Sequence, residues 1–294
     1  PDTARPDTIP PDVIRPNATQ VGTIRTDTAQ AGWTRPAGPP GRLIAIASGK
    51  GGVGKTWFTI TLAHALARAG RRVLLFDGDL GLANIDIQLG LVPGRTIGSD
   101  LGAMLAGRAS LADAVLHHAE GGFAILPGCS GSGALAGLDP AALALVLAAL
   151  RDAAVAYDIV LLDLGAGLEG GVRTLAAAAD TLLVLATEEP TSLTDAYAVL
   201  KLHAADRPGG DARIVVNQAS SPAAGARTYA TLRKAALAFL RRDPALLGVI
   251  RRDDRVREAI RRQALLLTRH PGTAAAMDVE AIAARLDAEA AAAR

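Results

Sequence analysis

Ser48-Gly49-Lys50-Gly51-Gly52-Val53-Gly54-Lys55-Thr56 is the stretch from which the rest of the chain can be read. Before it lies an apolar run, Leu43–Ala47, that reads as a buried strand; after it lies an apolar-periodic segment, about 56–68, that reads as a helix closed by Gly70. A glycine-rich turn from strand to helix lets backbone N–H groups face inward around phosphate oxygens, and the helix N-terminus adds positive potential. In that context Lys55 is expected to reach the β- and γ-phosphates of a nucleotide, and the Thr56 hydroxyl to ligate Mg²⁺. Gly51, Gly52, Val53, Gly54 and Trp57 complete the expected nucleotide-binding run. The plain alternative, a glycine turn with an incidental lysine, fits poorly with so many constrained positions between a strand and a helix. Lys50 is an extra feature, because an ordinary phosphate loop needs no lysine there. It lies too far around the loop to serve its own γ-phosphate, so its natural use is to reach a neighbour's phosphate across a dimer; the alternative is a solvated loop lysine.

Two carboxylate stretches belong with this loop. Asp77-Gly78-Asp79 follows a second apolar strand, Val73–Phe76, at the carboxyl end where ligands gather in open α/β sheets. Asp163 ends the run Ile159-Val160-Leu161-Leu162-Asp163, a hydrophobic strand that delivers a carboxylate toward the water shell of Mg²⁺. Either aspartate could instead cap a helix. Gly165-Ala166-Gly167 reads as a flexible turn able to sense a γ-phosphate.

Beyond residue 42 the texture is strand–helix alternation. Strands are expected at 123–126, 181–186, 213–216 and 247–250. Helices are expected at 97–106, 110–118, 139–156, 169–179, after Pro190, and at 223–240, 254–263 and 273–290. Asp139-Pro140 is a strong helix start. Short, continuously apolar strands separated by helices indicate a mostly parallel sheet with helices on both faces, the α/β architecture of P-loop NTPases. Residues 42–294 then form one domain. Residues 1–41 differ: they hold eight of the sixteen prolines and almost no clustered apolar side chains, with arginines at Arg5, Arg15, Arg25 and Arg35. Such a composition cannot bury a core and reads as a disordered Pro/Thr/Asp-rich arm.

Half of the 294 residues are apolar but only 3% are aromatic, so small aliphatic side chains must fill the core. Cys129 is the sole cysteine, which excludes an intrachain disulfide and a multi-cysteine metal or iron–sulfur site. No basic-then-apolar leader and no apolar run of about 20 residues is present, so a cytoplasmic protein is expected. The formal net charge of +2 excludes neither nucleic acid nor acidic partners.

The loop with its second lysine, Asp77-x-Asp79 and Asp163 resembles the MinD/ParA group of deviant Walker A ATPases. Asp79-Leu80-Gly81-Leu82-Ala83-Asn84-Ile85-Asp86, Leu126-Pro127-Gly128-Cys129-Ser130-Gly131 and Glu189-Pro190-Thr191-Ser192-Leu193-Thr194-Asp195-Ala196-Tyr197 are most similar to its flagellar number regulators, the FlhG (FleN) family. The resemblance covers about residues 43–286. It implies an ATP-dependent homodimer that hydrolyses ATP with Mg²⁺. In it Asp79 positions the attacking water, Lys50 crosses to the partner's nucleotide, Thr56, Asp77 and Asp163 serve the metal, Asn217 reads adenine, and Asp253 lies in a second base-side loop. The implied partners are the flagellar GTPase FlhF, a flagellar transcription activator or switch-complex proteins, with recruitment to the cell pole or the inner membrane surface. A partitioning or division-site ATPase of the same group is the alternative. Three positions depart from the family pattern: Trp57 stands where Thr, Ser or Asn is usual, Thr61 where Asn is frequent, and Arg251 where Pro is usual.

Between Arg233 and Arg269 there are eleven basic and four acidic residues, a surface that could hold non-specific DNA or simply be a solvated set of helix faces. His117-His118 read as structural, at a helix end or loop. The last helix places Val279, Ile282 and Leu286 on one stripe and is acidic elsewhere. A membrane-binding helix wants a basic polar face, so this one is expected to pack on the sheet, and any membrane association from this end is weak or absent.

Overall fold

Strand β1 (Arg42–Ser48) forms the middle of the molecule because its residues are apolar on both faces: Leu43, Ala45 and Ala47 enter one layer, Ile44 and Ile46 the other. Strands with two apolar faces require helices on both sides. In the computed structural model, which describes residues 40–79, 84–91, 101–128 and 139–292, that is what surrounds β1. The described strands are β1, β2 (Val73–Gly78), β3 (Leu116–His118), β4 (Phe123–Leu126), β5 (Ile159–Ala166), β6 (Thr181–Ala186), β7 (Asp211–Ala219) and β8 (Ala245–Arg251). They form one sheet in the order β3-β4-β2-β5-β1-β6-β7-β8, parallel except for the antiparallel β3–β4 pair at the edge.

One layer is built from α3 (Leu101–Leu105), α4 (Leu111–Ala114), α5 (Pro140–Ala156), α6 (Gly170–Ala178) and α7 (Pro190–Asp206). The other holds α1 (Lys55–Arg68), α2 (Ile85–Leu89), α9 (Asp254–Arg261), α10 (Leu266–Arg269) and α11 (Ala274–Ala292). Helix α8 (Pro222–Ala235) lies against β7 and β8 on the first side. Asp139 caps α5 by accepting from Ala142 N at 2.7 Å, with Pro140 in the first turn, as the Asp-Pro pair predicts. Helix α11 buries Ala275, Ala276, Val279, Ile282, Ala283 and Leu286. It lies so close to β8 that a Cβ at Gly248 would stand 2.4 Å from Ile282 Cγ1.

Several elements differ from the sequence reading. The segment 110–118 is not one helix: α4 ends at Ala114, closed at its start by a Ser110–Asp113 capping box, and Leu116–His118 pairs as an edge strand with β4. His118 stacks on Phe123 with ring centroids 5.2 Å apart, and its Nδ1 accepts from Gly121 N. A hairpin turned by Gly121-Gly122 thus carries the two histidines, not a helix end. The segment 223–240 is α-helical only to Ala235 and continues as a π-helical turn, Ala236–Leu240, stopped by left-handed Arg241. Strand β5 runs through Gly165 and Ala166, so only Gly167 of that glycine pair lies in a turn, at φ 109°. The short helices α2 and α10 were not expected from the apolar pattern. The disordered-arm reading of residues 1–41, the start of the 97–106 helix, Leu80–Ala83 and the Cys129-Ser130-Gly131 stretch lie outside the described residues. Among the described residues no helix is long and apolar enough to cross a membrane.

Candidate functional site

The loop between β1 and α1 is shaped by left-handed glycines, Gly52 at φ 79° and Gly54 at φ 89°, the latter at the N-cap of α1. Space as well as φ requires glycine at Gly54, because a Cβ there would stand 2.6 Å from Asn217 Nδ2. Asn217, buried at the end of β7, donates from Nδ2 to Val53 O at 2.8 Å and accepts from Gln218 N at 2.9 Å. The expected base reader therefore also braces the expected phosphate loop.

Lys55 opens α1 and is buried. The ammonium acts on Asp163 of β5, whose register partner in the sheet is Asp77 of β2. Asp163 is enclosed; Thr59 Oγ1 donates to its Oδ1 at 3.1 Å, and Thr56 also donates to it. Burial pushes its carboxyl above the usual range, against the opposing pull of the Lys55 ammonium. Asp77 is pushed up to about 8, first by burial and then by the neighbouring Asp163, although the backbone N–H groups of Ile85, Asp79 and Asn84 favour its ionised form.

Two enclosed carboxylates, both raised by burial and Asp77 further by Asp163, beside a threonine hydroxyl, are a hard-oxygen set suited to Mg²⁺. Among the described residues no group of three His, Cys, Asp or Glu side chains could hold a metal without help. A Mg²⁺ here would need oxygens from a phosphate and from water, the usual arrangement at nucleotide sites. The residues present fit that cation.

Asp79 follows β2 on the same edge, and a Cβ at Gly165 would stand 3.3 Å from its Oδ1, so this carboxylate lies beside the end of β5. Lys50 points elsewhere. Its Nζ donates to Glu189 Oε2 at 2.7 Å and to Thr191 Oγ1 at 3.0 Å, at the start of α7. The lysine hydrogen bond and charge hold the Glu189 carboxyl below its usual range. Nothing in the sequence marks Glu189 and Thr191 as holders of Lys50 beyond the opposite charge of one of them.

On the other side of the loop is a chamber of about 270 Å³ lined by Gly52, Gly54, Trp57, Asn217 and Asp253 among others. Asp253 is the N-cap of α9, accepting from Arg255 N at 3.0 Å and from Ala275 N at 3.3 Å, which fixes the loop that closes the chamber. Arg251, in place of the usual Pro, ends β8 and clasps Asp278 of α11 through Nε and Nη2, each at 2.8 Å. Thr61, the other small departure, points its hydroxyl back to Trp57 O at 2.8 Å.

A phosphate loop between the first strand and helix, with two acidic strand ends beside it, defines a P-loop nucleotide-binding protein. The chain belongs to the CbiA family, the CobQ/CobB/MinD/ParA nucleotide binding domain, whose model matches residues 44–266. It is 40% identical over 250 residues to the antiactivator FleN of Pseudomonas aeruginosa, covering 84% of this chain and 87% of that one. It is 30% identical over 248 residues to the flagellum site-determining protein YlxH of Helicobacter pylori, covering 83% and 81%. Among solved structures, the septum site-determining protein MinD of Pyrococcus horikoshii, complexed with Mg-ADP, superposes with a TM-score of 0.69 at 29% identity, covering 85% of this chain and 97% of that one. The resemblance read from Ser48–Thr56, Asp77, Asp79 and Asp163 and the P-loop NTPase fold are thereby established.

Proposed function

We propose that this chain is an ATP-driven dimerisation switch that regulates flagellar number or placement. It is a Mg²⁺-dependent ATPase of the MinD/ParA type. Lys55 and the loop N–H groups hold the β- and γ-phosphates, Asn217 reads adenine from the end of β7, and Asp253 fixes the loop on the far side of the base. Thr56, Asp77 and Asp163 would hold Mg²⁺, which would supply positive charge against the phosphates. Asp79 orients the attacking water, and Lys50 crosses the dimer to the partner's phosphates.

The observation that supports the switch is the place of Lys50: its ammonium rests on Glu189 and Thr191, off its own phosphate loop. The flagellar part rests on the similarity to FleN and YlxH, each over more than four fifths of this chain. The partners would be the flagellar GTPase FlhF, a flagellar transcription activator or switch-complex proteins, met in the cytoplasm or at the pole. The DNA-partitioning alternative draws less support, because much of the basic stretch is internally paired. Arg233 holds Asp243, Arg251 holds Asp278, and Arg255 and Arg262 share Glu258. Deleting the gene and counting flagella by electron microscopy tests the process. Extra or misplaced flagella, corrected by the wild-type chain but not by Asp79→Ala, are expected; unchanged flagellation would contradict the flagellar reading and leave the ATPase standing.

A further inference from the structure

We propose that an apolar pocket at the amino end of the sheet, far from the phosphate loop, is a docking site for the chain's own N-terminal segment, with Trp33 as the side chain that enters it. The pocket has a volume of about 280 Å³, is open to solvent on one side, and is walled by Val73, Leu111, Val115, Ala124, Ala153 and Ala156. Its charged neighbours are already matched: Arg71 pairs with Asp287 of α11, and Arg72 with Asp158. An anionic ligand would have to break those pairs, whereas an uncharged apolar side chain would not. Beside the pocket, at the same end of α5, Val155 is 62% exposed.

The path of the chain says which apolar group is at hand. Gly41 N donates to Ala154 O at 2.7 Å, and a Cβ at Gly41 would stand 2.1 Å from Tyr157 O. The N-terminal segment therefore leaves the fold against the end of α5, whose Ala153, Ala156 and Tyr157 line the pocket. Arg42 of β1 and Val73 of β2 share one register partner, Ile159 of β5, so the exit and the pocket wall are two strand spacings apart, about 10 Å. Trp33 stands seven residues before Pro40, and an extended segment of that length spans about 22 Å. Residues 34–40 are Thr, Arg, Pro, Ala, Gly, Pro and Pro, so Trp33 is the first large apolar side chain back from the exit; the next, Ile24, is nine residues further. Pro36, Pro39 and Pro40 restrict the intervening backbone, which lowers the entropy lost on docking. An indole buries a large apolar area while its N–H meets water at the open mouth. A segment too polar to build a core can still lend one side chain to a core already built.

The emission of Trp33 is obtained by subtracting the spectrum of Trp33→Phe from that of the unaltered chain, since Trp57 is the only other tryptophan. Trp33 emission is expected to be blue-shifted and severalfold less quenched by acrylamide than that of a peptide carrying residues 28–38. Ala112→Phe, which fills the pocket from α4, is expected to restore peptide-like emission and quenching. Peptide-like quenching in the unaltered chain would overturn the proposal, and so would protection that survives the filled pocket, by placing the indole elsewhere. Protection lost on dilution would also overturn it, by assigning the pocket to the segment of a second copy. If Ala112→Phe does not fold, nuclear Overhauser contacts between the Trp33 indole and the Val115 methyl groups decide: their presence supports the docking and their absence contradicts it.

Discussion

The carboxyl edge of the sheet and the layer formed by α1, β8 and α11 treat charge in opposite ways. In the layer, charges are matched: Arg68 meets Glu280, Arg71 meets Asp287, Arg213 meets Glu289 and Arg251 meets Asp278. At the carboxyl edge, Asp77 and Asp163 are enclosed side by side; burial raises both, Asp163 raises Asp77 further, and Asp79 raises Asp163, with Lys55 as the nearby cation. Trp57 adds an enclosed N–H without an acceptor among the described residues. The ion pairs of the layer are closed as folded, although His64 Nδ1 on α1 is likewise enclosed without a hydrogen-bond partner among the described residues. The raised carboxylates of the edge support it as the candidate place for a cation and phosphates.

The largest way to break this contrast is to remove a group on which the proposed metal depends. Thr56→Ala deletes the hydroxyl proposed to meet the metal and should lower ATP hydrolysis by about a hundredfold or more, while leaving the fold intact. Turnover near wild type in that variant would remove Thr56 from the site.

A smaller effect sharpens the contrast because its sign differs between the regions. Asp163→Asn removes one of two facing carboxylates and should raise the nucleotide-free melting temperature by roughly 2–4 °C, with hydrolysis and the stabilisation by Mg-ATP both lost. Asp158→Ala, at the opposite end of β5, removes a paired carboxylate that accepts from Arg72 N at 3.0 Å and from its guanidinium Nη2 at 3.2 Å. It should lower the melting temperature by roughly 2–4 °C while leaving turnover near wild type. Calorimetric melts of both variants check this; equal losses would mean that the edge is an ordinary paired network.

The same contrast explains what was legible in the sequence. Strands such as Leu43–Ala47 and Ile159–Leu162 announce themselves by continuous apolar runs, and the phosphate loop by glycines that only one geometry requires. Asp77, Asp79 and Asp163 were readable because each ends or follows such a run. The β3 strand was not, since three residues carry no period; the one signal for it is the Gly121-Gly122 turn before Phe123. The pairing partners were also hidden. The acidic residues of α11 look like a solvated face, yet Glu280, Asp287 and Asp278 are met by arginines more than twenty residues away. The capping role of Asp253 and the hold of Glu189 and Thr191 on Lys50 likewise depend on contacts that only the fold creates.

The central claim is a switch in which Lys50 acts between subunits and Asp79 acts on the water. Lys50 rests on exposed partners, so the monomer should tolerate its loss, whereas phosphate charge enclosed at a dimer face would then lack its counter-charge. The direct measurement is molecular mass by light scattering with Mg-ATP for Asp79→Ala and Lys50→Ala, alongside hydrolysis. The account predicts that both variants are inactive, with Asp79→Ala trapped as a dimer and Lys50→Ala monomeric. Normal dimerisation and hydrolysis by Lys50→Ala would contradict it and point instead to P-loop chemistry completed within one subunit.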